Sequence, residues 1–290
     1  MRKRHKPLAL QRAFSLIEIM VTVTLLSVIT VGLLSMFYQT QRAFRLGANQ
    51  VDILEGGRAV MELISREMQE MFPSHVEGVV NLSAVTQATN YMTDLPGGLV
   101  RTNLLQQISF LSRRGDEWMS TTYWVQDHID VADSVTNAGL GELWRHVVRT
   151  NLPTLNQTNF IWGFATNLTR SHSTNDPGAH KIADGVVHFR AYVYNQNGIF
   201  YSDSPPNVFI GNSPASVLQP GFDFYDWIPG HVELELGILD PKAVEGFRAR
   251  GYSLPVAAGY LQGQVHRVHL FKQRVATRAR RADFDIFALK

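Results

Sequence analysis

The sequence predicts an α+β chain in which a long N-terminal α-helix, membrane-spanning in its first half, packs on an antiparallel β-sheet head. Three observations predict it. Residues 14–38 are an apolar run broken by one charge. Residues 39–72 continue with apolar residues at steps of three and four, and Pro73 stops the pattern. Beyond residue 100, apolar and polar residues alternate in short runs divided by Gly, Pro, Asn and Ser, without a βαβ order.

Composition narrows the function classes. With 290 residues, 45% of them hydrophobic, the chain can bury one large core or two small ones. The absence of cysteine excludes a disulfide scaffold, a cysteine-type zinc site and a cysteine nucleophile. Charge is placed unevenly. Arg2, Lys3, Arg4, Lys6 and Arg12 precede residue 14 with no acid among them. Setting these five aside leaves 22 basic against 25 acidic residues, about −3. The basic character is therefore a tag on the N-terminus and gives no reason to expect nucleic acid as a partner.

The segment FSLIEIMVTVTLLSVITVGLLSMFY, residues 14–38, has no charged side chain after Glu18 until Arg42. As a helix it spans roughly 37 Å at about 1.5 Å per residue. That covers a hydrocarbon core of about 30 Å. The basic residues before it predict a cytoplasmic N-terminus and an outward-facing head, although Arg42 and Arg45 weaken the bias. A secretory signal peptide would be shorter and followed by a small-x-small cleavage site. A plain signal anchor fits the length but leaves Glu18 unexplained. A carboxylate at mid-bilayer costs about 2.5–3.5 kcal/mol, less near the interface. Such a residue calls for a partner, and beyond Arg12 its own helix offers none.

Ala13-Phe14-Ser15-Leu16-Ile17-Glu18 resembles the class III signal of type IV prepilins and type II secretion pseudopilins. The resemblance implies that prepilin peptidase cuts between Ala13 and Phe14, that Phe14 becomes the methylated N-terminus, and that Glu18 serves filament assembly. The family prefers Gly before the cut, where this chain has Ala13. The implied fold is pilin-like. Residues 1–13 are the leader, 14–38 the transmembrane half of the helix, 39–72 its amphipathic half, and 73–290 a periplasmic β-rich head. The order of a strand at 186–194, Trp227-Ile228-Pro229 and a strand at 231–239 is similar to the J-type minor pseudopilin. So is the lack of Pro in the second half of the membrane segment.

In the amphipathic half, Ile53, Gly57, Val60, Met61, Ile64, Met68, Met71 and Phe72 share a face expected to pack on the head's own sheet. Gly56-Gly57 predicts a bend. In the head, Gln107–Ser112 and Trp118–Val125 flank Arg113-Arg114-Gly115-Asp116 as a hairpin. Strands are expected at Leu143–Arg149, Val187–Tyr194, His231–Ile238 and Gln264–Arg274. Asn197-Gly198 is expected to turn the chain into a return at Ile199–Tyr201. A short helix should begin with Asp240 as N-cap and Pro241, and stop at Gly251. Loops are expected at 126–140, 171–185 and 203–230.

Chemistry in the head is weighed against blander readings. His266 and His269 fall on opposite faces of the expected last strand and cannot share a metal. His231, Glu233 and Glu235 read as an exposed polar sheet face. Asp127, His128, Asp130 and Asp133 form an acidic loop without the glycine and closing glutamate of an EF-hand, so calcium is a weak expectation. Arg278, Arg280 and Arg281 read as a solvated strand end. With no nucleophile elbow, P-loop or HExxH, no catalytic residue, metal or cofactor is expected. The expected function is a structural subunit of a secretion or pilus-like filament in the inner membrane, with prepilin peptidase, other pilin or pseudopilin subunits and inner-membrane lipid as partners. The alternative is a membrane-anchored periplasmic binding or enzymatic domain with a pilin-type signal.

Overall fold

The computed structural model describes residues 15–74, 79–90, 103–115, 117–127, 139–151, 173–195, 197–198, 208–210, 221–225, 228–249 and 259–277. The chain divides between Val51 and Asp52 into two compact units. Helix α1, Leu16–Gln69, is continuous over 54 residues. In the first unit its side chains from Ser15 to Thr40 are all exposed. The helix is long and apolar enough to cross a membrane, and none of its apolar window is buried.

The second unit is built on a nine-stranded sheet ordered β6-β7-β1-β2-β3-β4-β5-β8-β9, with neighbouring strands antiparallel. The strands are β1 (Leu82–Asn90), β2 (Asn103–Arg114), β3 (Glu117–Asp127), β4 (Gly141–Asn151), β5 (Ala179–Tyr194), β6 (Val208–Ile210), β7 (Phe222–Phe224), β8 (His231–Leu239) and β9 (Val268–Ala276). A parallel bridge between Leu105 and Phe189 joins β2 to β5, so strands β2 to β5 form a closed circuit of pairings. The expected α+β architecture is present: a long helix followed by an antiparallel sheet.

One face of the sheet takes the stripe of α1. Ile53, Val60, Met61, Ile64, Met68 and Met71 are buried in one cluster with Phe189, Val193, Leu234 and Leu236. The helix runs unbroken through Gly56-Gly57. Gly57 serves a close approach: a Cβ there would lie 2.2 Å from Cζ of Phe271 on β9. Met71 and Phe72, expected in the helix, are extended. Met71 bridges Ser112, and the Phe72 N–H donates to the Leu111 carbonyl at 3.1 Å. Pro73 is the cause, since the residue before a proline is pushed out of the helical region. Arg113 lies over the rings of Phe72 and Trp118, 5.9 and 5.5 Å from their centroids, and holds the exit.

Helix α2, Pro241–Arg248, packs on the other face through Ala243, Val244 and Phe247, against Val187, Leu239 and Val268. Asp240 caps it as expected, its Oδ1 accepting from the Lys242 N–H at 2.8 Å. The helix ends at Arg248, before Gly251, which lies outside the described residues.

The hairpin between Gln107–Ser112 and Trp118–Val125 forms as read, with Arg114 opposite Glu117, and so does the strand at 231–239. Other elements differ. Residues 179–185 are strand, because β5 pairs with β4 across Ala179 to Val186. Residues 208–210 and 222–224, read as loop, are the short strands β6 and β7. Strand β1 has no counterpart in the expected set; its sequence, LSAVTQATN, is small and polar. A bulge between Val186 and His188 breaks the simple alternation of β5. Val186 joins the α1 side with Phe189, and Val187 the α2 side. His266 sits in a 3-10 turn, Val265–Arg267, and not on β9. Gly198 turns with φ 76°, and the expected return at Ile199–Tyr201 lies outside the described residues.

The polar side of β8 is not an exposed face. Glu235 is 2% exposed and His188 1%. The Leu104 N–H donates to His188 Nδ1 at 3.1 Å, so that nitrogen carries no proton. His188 Nε2–H then donates to Glu235 Oε2 at 3.1 Å, and Lys272 Nζ donates to Oε1. The network ties β2, β5, β8 and β9 together. Burial pushes the His188 pKa down, and Glu235 only partly offsets it. Burial alone would raise the Glu235 carboxyl; hydrogen bonds from His188 and Lys272 outweigh it and hold the group well below the usual carboxylate range.

Two predictions follow from these contacts. Gly56 faces open space, so Gly56→Ala should raise stability by up to about 1 kcal/mol. Gly57→Ala should lower it by about 1–3 kcal/mol through the clash with Phe271; thermal unfolding in detergent compares the two. Both His188 and Glu235 are depressed in the fold, so the unfolded chain binds more protons in acid. Their contribution is full above the ordinary histidine value of 6.5 and is lost as pH falls below it, with a further loss below the ordinary carboxylate value of 4.5. Melting temperature should fall from pH 6.5 to 5, and His188→Gln should remove that slope at some cost in stability at pH 7.5. A slope that survives the substitution would place its origin elsewhere.

Candidate processing and assembly site

The segment around the motif begins as a helix for a local reason. Ser15 precedes α1, and its Oγ accepts from the Glu18 N–H at 3.3 Å, while its carbonyl accepts from the same N–H at 3.0 Å. Ser15-Leu16-Ile17-Glu18 thus has the serine-x-x-glutamate spacing of a capping box. The signal was present in the sequence, and the assembly reading of Glu18 passed over it. Glu18 lies in the first turn of α1, where a negative charge opposes the positive end of the helix dipole.

Four hydroxyls of the apolar segment are satisfied within the helix. Thr22 Oγ1 donates to the Ile19 carbonyl at 2.9 Å, Thr24 to Met20 at 2.9 Å, Ser27 to Val23 at 2.8 Å and Thr30 to Leu26 at 2.7 Å. A hydroxyl in hydrocarbon needs such a back-bond, since no water is there to replace it. A carboxylate has no hydrogen to donate to a carbonyl. Among the described residues up to Gln41, Glu18 is the one charged side chain, and its carboxylate has no hydrogen-bond or ion-pair partner. Ala13 and Phe14, where cleavage and methylation are expected, lie outside the described residues.

Among the described residues no three His, Asp or Glu could hold a metal ion. Glu235 is occupied by His188 and Lys272, which removes it from any set with His231 and Glu233. Asp127 ends β3, while His128, Asp130 and Asp133 lie outside the described residues, as do Arg278, Arg280 and Arg281.

No curated protein and no solved structure matches the chain. A family model does: residues 8–34 match the prokaryotic N-terminal methylation motif. The match contains Ala13, Phe14 and Glu18 together with most of the apolar run. It implies processing by prepilin peptidase, membrane anchoring through the apolar helix, and assembly into pilin-type filaments. With Arg12, Phe14, Glu18 and most of the apolar run in one continuous match, residues 8–34 carry the class III signal found in type IV prepilins and pseudopilins.

Proposed function

We propose that this chain is a minor pseudopilin or pilin-like structural subunit of a type II secretion or type IV pilus-like filament, and not an enzyme. The observation that carries the reading is Glu18. It is a carboxylate without a partner among the described residues, in a segment where Thr22, Thr24, Ser27 and Thr30 turn their hydroxyls back on the preceding carbonyls. Cleavage between Ala13 and Phe14 creates an α-amine with an ordinary pKa of about 7.7–8.0, four residues from Glu18. In a bundle of such helices, Glu18 of one subunit pairs with that amine on the next. Two isolated charges in a low-dielectric bundle are costly, and a matched pair much less so.

The basic residues before Phe14 support a cytoplasmic N-terminus and a periplasmic head. The finer reading, a J-type minor position, is supported by the order β5, Ile228-Pro229, β8 and by a membrane segment without proline. Phe14 is the residue methylated, by analogy with the family.

Co-expression with an active prepilin peptidase should yield a chain that begins at a methylated Phe14, read by intact mass and N-terminal sequencing. A leader that stays attached under those conditions refutes the processing reading. Glu18→Gln should leave cleavage and the melting temperature of the head unchanged and lower crosslinking to neighbouring pilin-like subunits by about tenfold or more. Undiminished assembly would favour a membrane-anchored binding or enzymatic domain that shares only the signal.

A further inference from the structure

A polar cleft of about 290 Å³ opens in the head between the last turns of α1 and strands β2 to β5. Its walls bring charge together by simple register. Leu63, Arg66 and Glu70 share one face of α1 at steps of three and four. Arg145 and Arg149 lie four apart on β4, opposite Tyr123 and Met119 of β3, and therefore point the same way. His180 of β5 stands opposite Arg145.

The floor of the cleft is neutralised. Arg145 Nε donates to Glu67 Oε2 at 3.1 Å, Tyr123 Oη–H donates to the same oxygen, and both charged side chains are less than a fifth exposed. At the exposed rim, Arg114 pairs with Glu70. The mouth is not neutralised. Arg66, Arg149 and His180 are exposed and have no hydrogen-bond or ion-pair partner among the described residues. Four arginines against two glutamates leave an excess of two positive charges here. The chain beyond its leader is slightly acidic as a whole, with 25 Asp and Glu.

We infer that this cleft binds an extended acidic segment of another polypeptide. Two guanidinium groups without partners at one mouth are the donors that fork onto carboxylates. Carboxylate is favoured over phosphate by what lies between the charges. Leu63, Met119 and Ile182 line the same walls and fit the aliphatic carbons of a peptide. The volume also exceeds what a bare anion needs. The proposal rests on the head alone and is independent of how Phe14 is processed.

The test uses the full chain in detergent micelles and a fluorescein-labelled octapeptide alternating Asp and Leu. Its control is the Asn and Leu counterpart. The acidic peptide should bind with an affinity that falls as salt rises, and the amide control about tenfold or more weaker. Arg66→Gln and Arg149→Gln should each weaken binding about tenfold with melting temperature unchanged, and Arg→Lys at either position should restore part of it. Equal binding of the two peptides, or full binding by the double Arg→Gln variant, would overturn the proposal. Displacement of the peptide by inorganic phosphate or phosphatidylglycerol at equal concentration would overturn it in favour of a phosphate site.

Discussion

The stripe of Ile53, Gly57, Val60, Ile64 and Met68 along α1 is the contact on which the head depends. It covers the sheet face formed by Phe189, Val193, Leu234 and Leu236, which would otherwise lie open to water. The remainder of the fold follows from keeping that contact close. Gly57 removes a side chain so that the Phe271 ring can reach the helix backbone. Glu67, one position before the buried Met68, is held by Arg145 and Tyr123 from β4 and β3. Burial, with the negative charge of Glu67 beside it, pushes the Tyr123 hydroxyl pKa up, so it stays a donor throughout the physiological range.

How far this could be read in the sequence depended on whether the signal was local. The stripe, the Asp240 cap and the Gly115 turn are written in residues close together, and each was legible. So was the processing motif, because leader charge, Phe14, Glu18 and the apolar run are contiguous. Apart from local misses such as the exit before Pro73 and the 3-10 turn at His266, the failures are matters of pairing between distant segments. Strand β1 reads LSAVTQATN, poor in large apolar residues, and is a strand because it is flanked by β2 and β7. Strand β7 is three residues long, and no periodicity can be read over three residues. The bulge at Val187 shifts the facing of β5 by one residue, which alternation alone cannot foresee. His188 and Glu235 are 47 residues apart, and each alone reads as a surface residue. Only the register of β5 against β8, with Leu104 of β2 behind them, puts them together inside.

Polar groups are handled differently in the two units, and the difference has a physical source. The first unit offers a hydroxyl nothing but its own helix, so Thr22, Thr24, Ser27 and Thr30 bond the preceding turn. The second can bring partners from other strands. It buries an imidazole and a carboxylate at the cost of placing Leu104 N–H and Lys272 around them. A half-satisfied version of that network would be worse than an apolar one, which is why all its members are engaged at once.

Neither strategy accounts for Glu18, Arg66 or Arg149. Unpaired charges are unremarkable on a wet surface, where water solvates them and ion pairs contribute little. Arg66 and Arg149 are exposed too, but like Glu18 they stand in a particular setting. Glu18 stands in an apolar stretch where water is scarce, and the two arginines crowd one mouth with the guanidinium of Arg145 behind them. Like charges brought together in a walled cleft repel, and the fold gains nothing from the arrangement in isolation. Helix α1 could carry Gln at 18 and at 66 and keep the stripe, the cap and the Glu67 clamp intact. Their placement is therefore not explained by the packing, capping or ion pairs that hold the rest of the fold together.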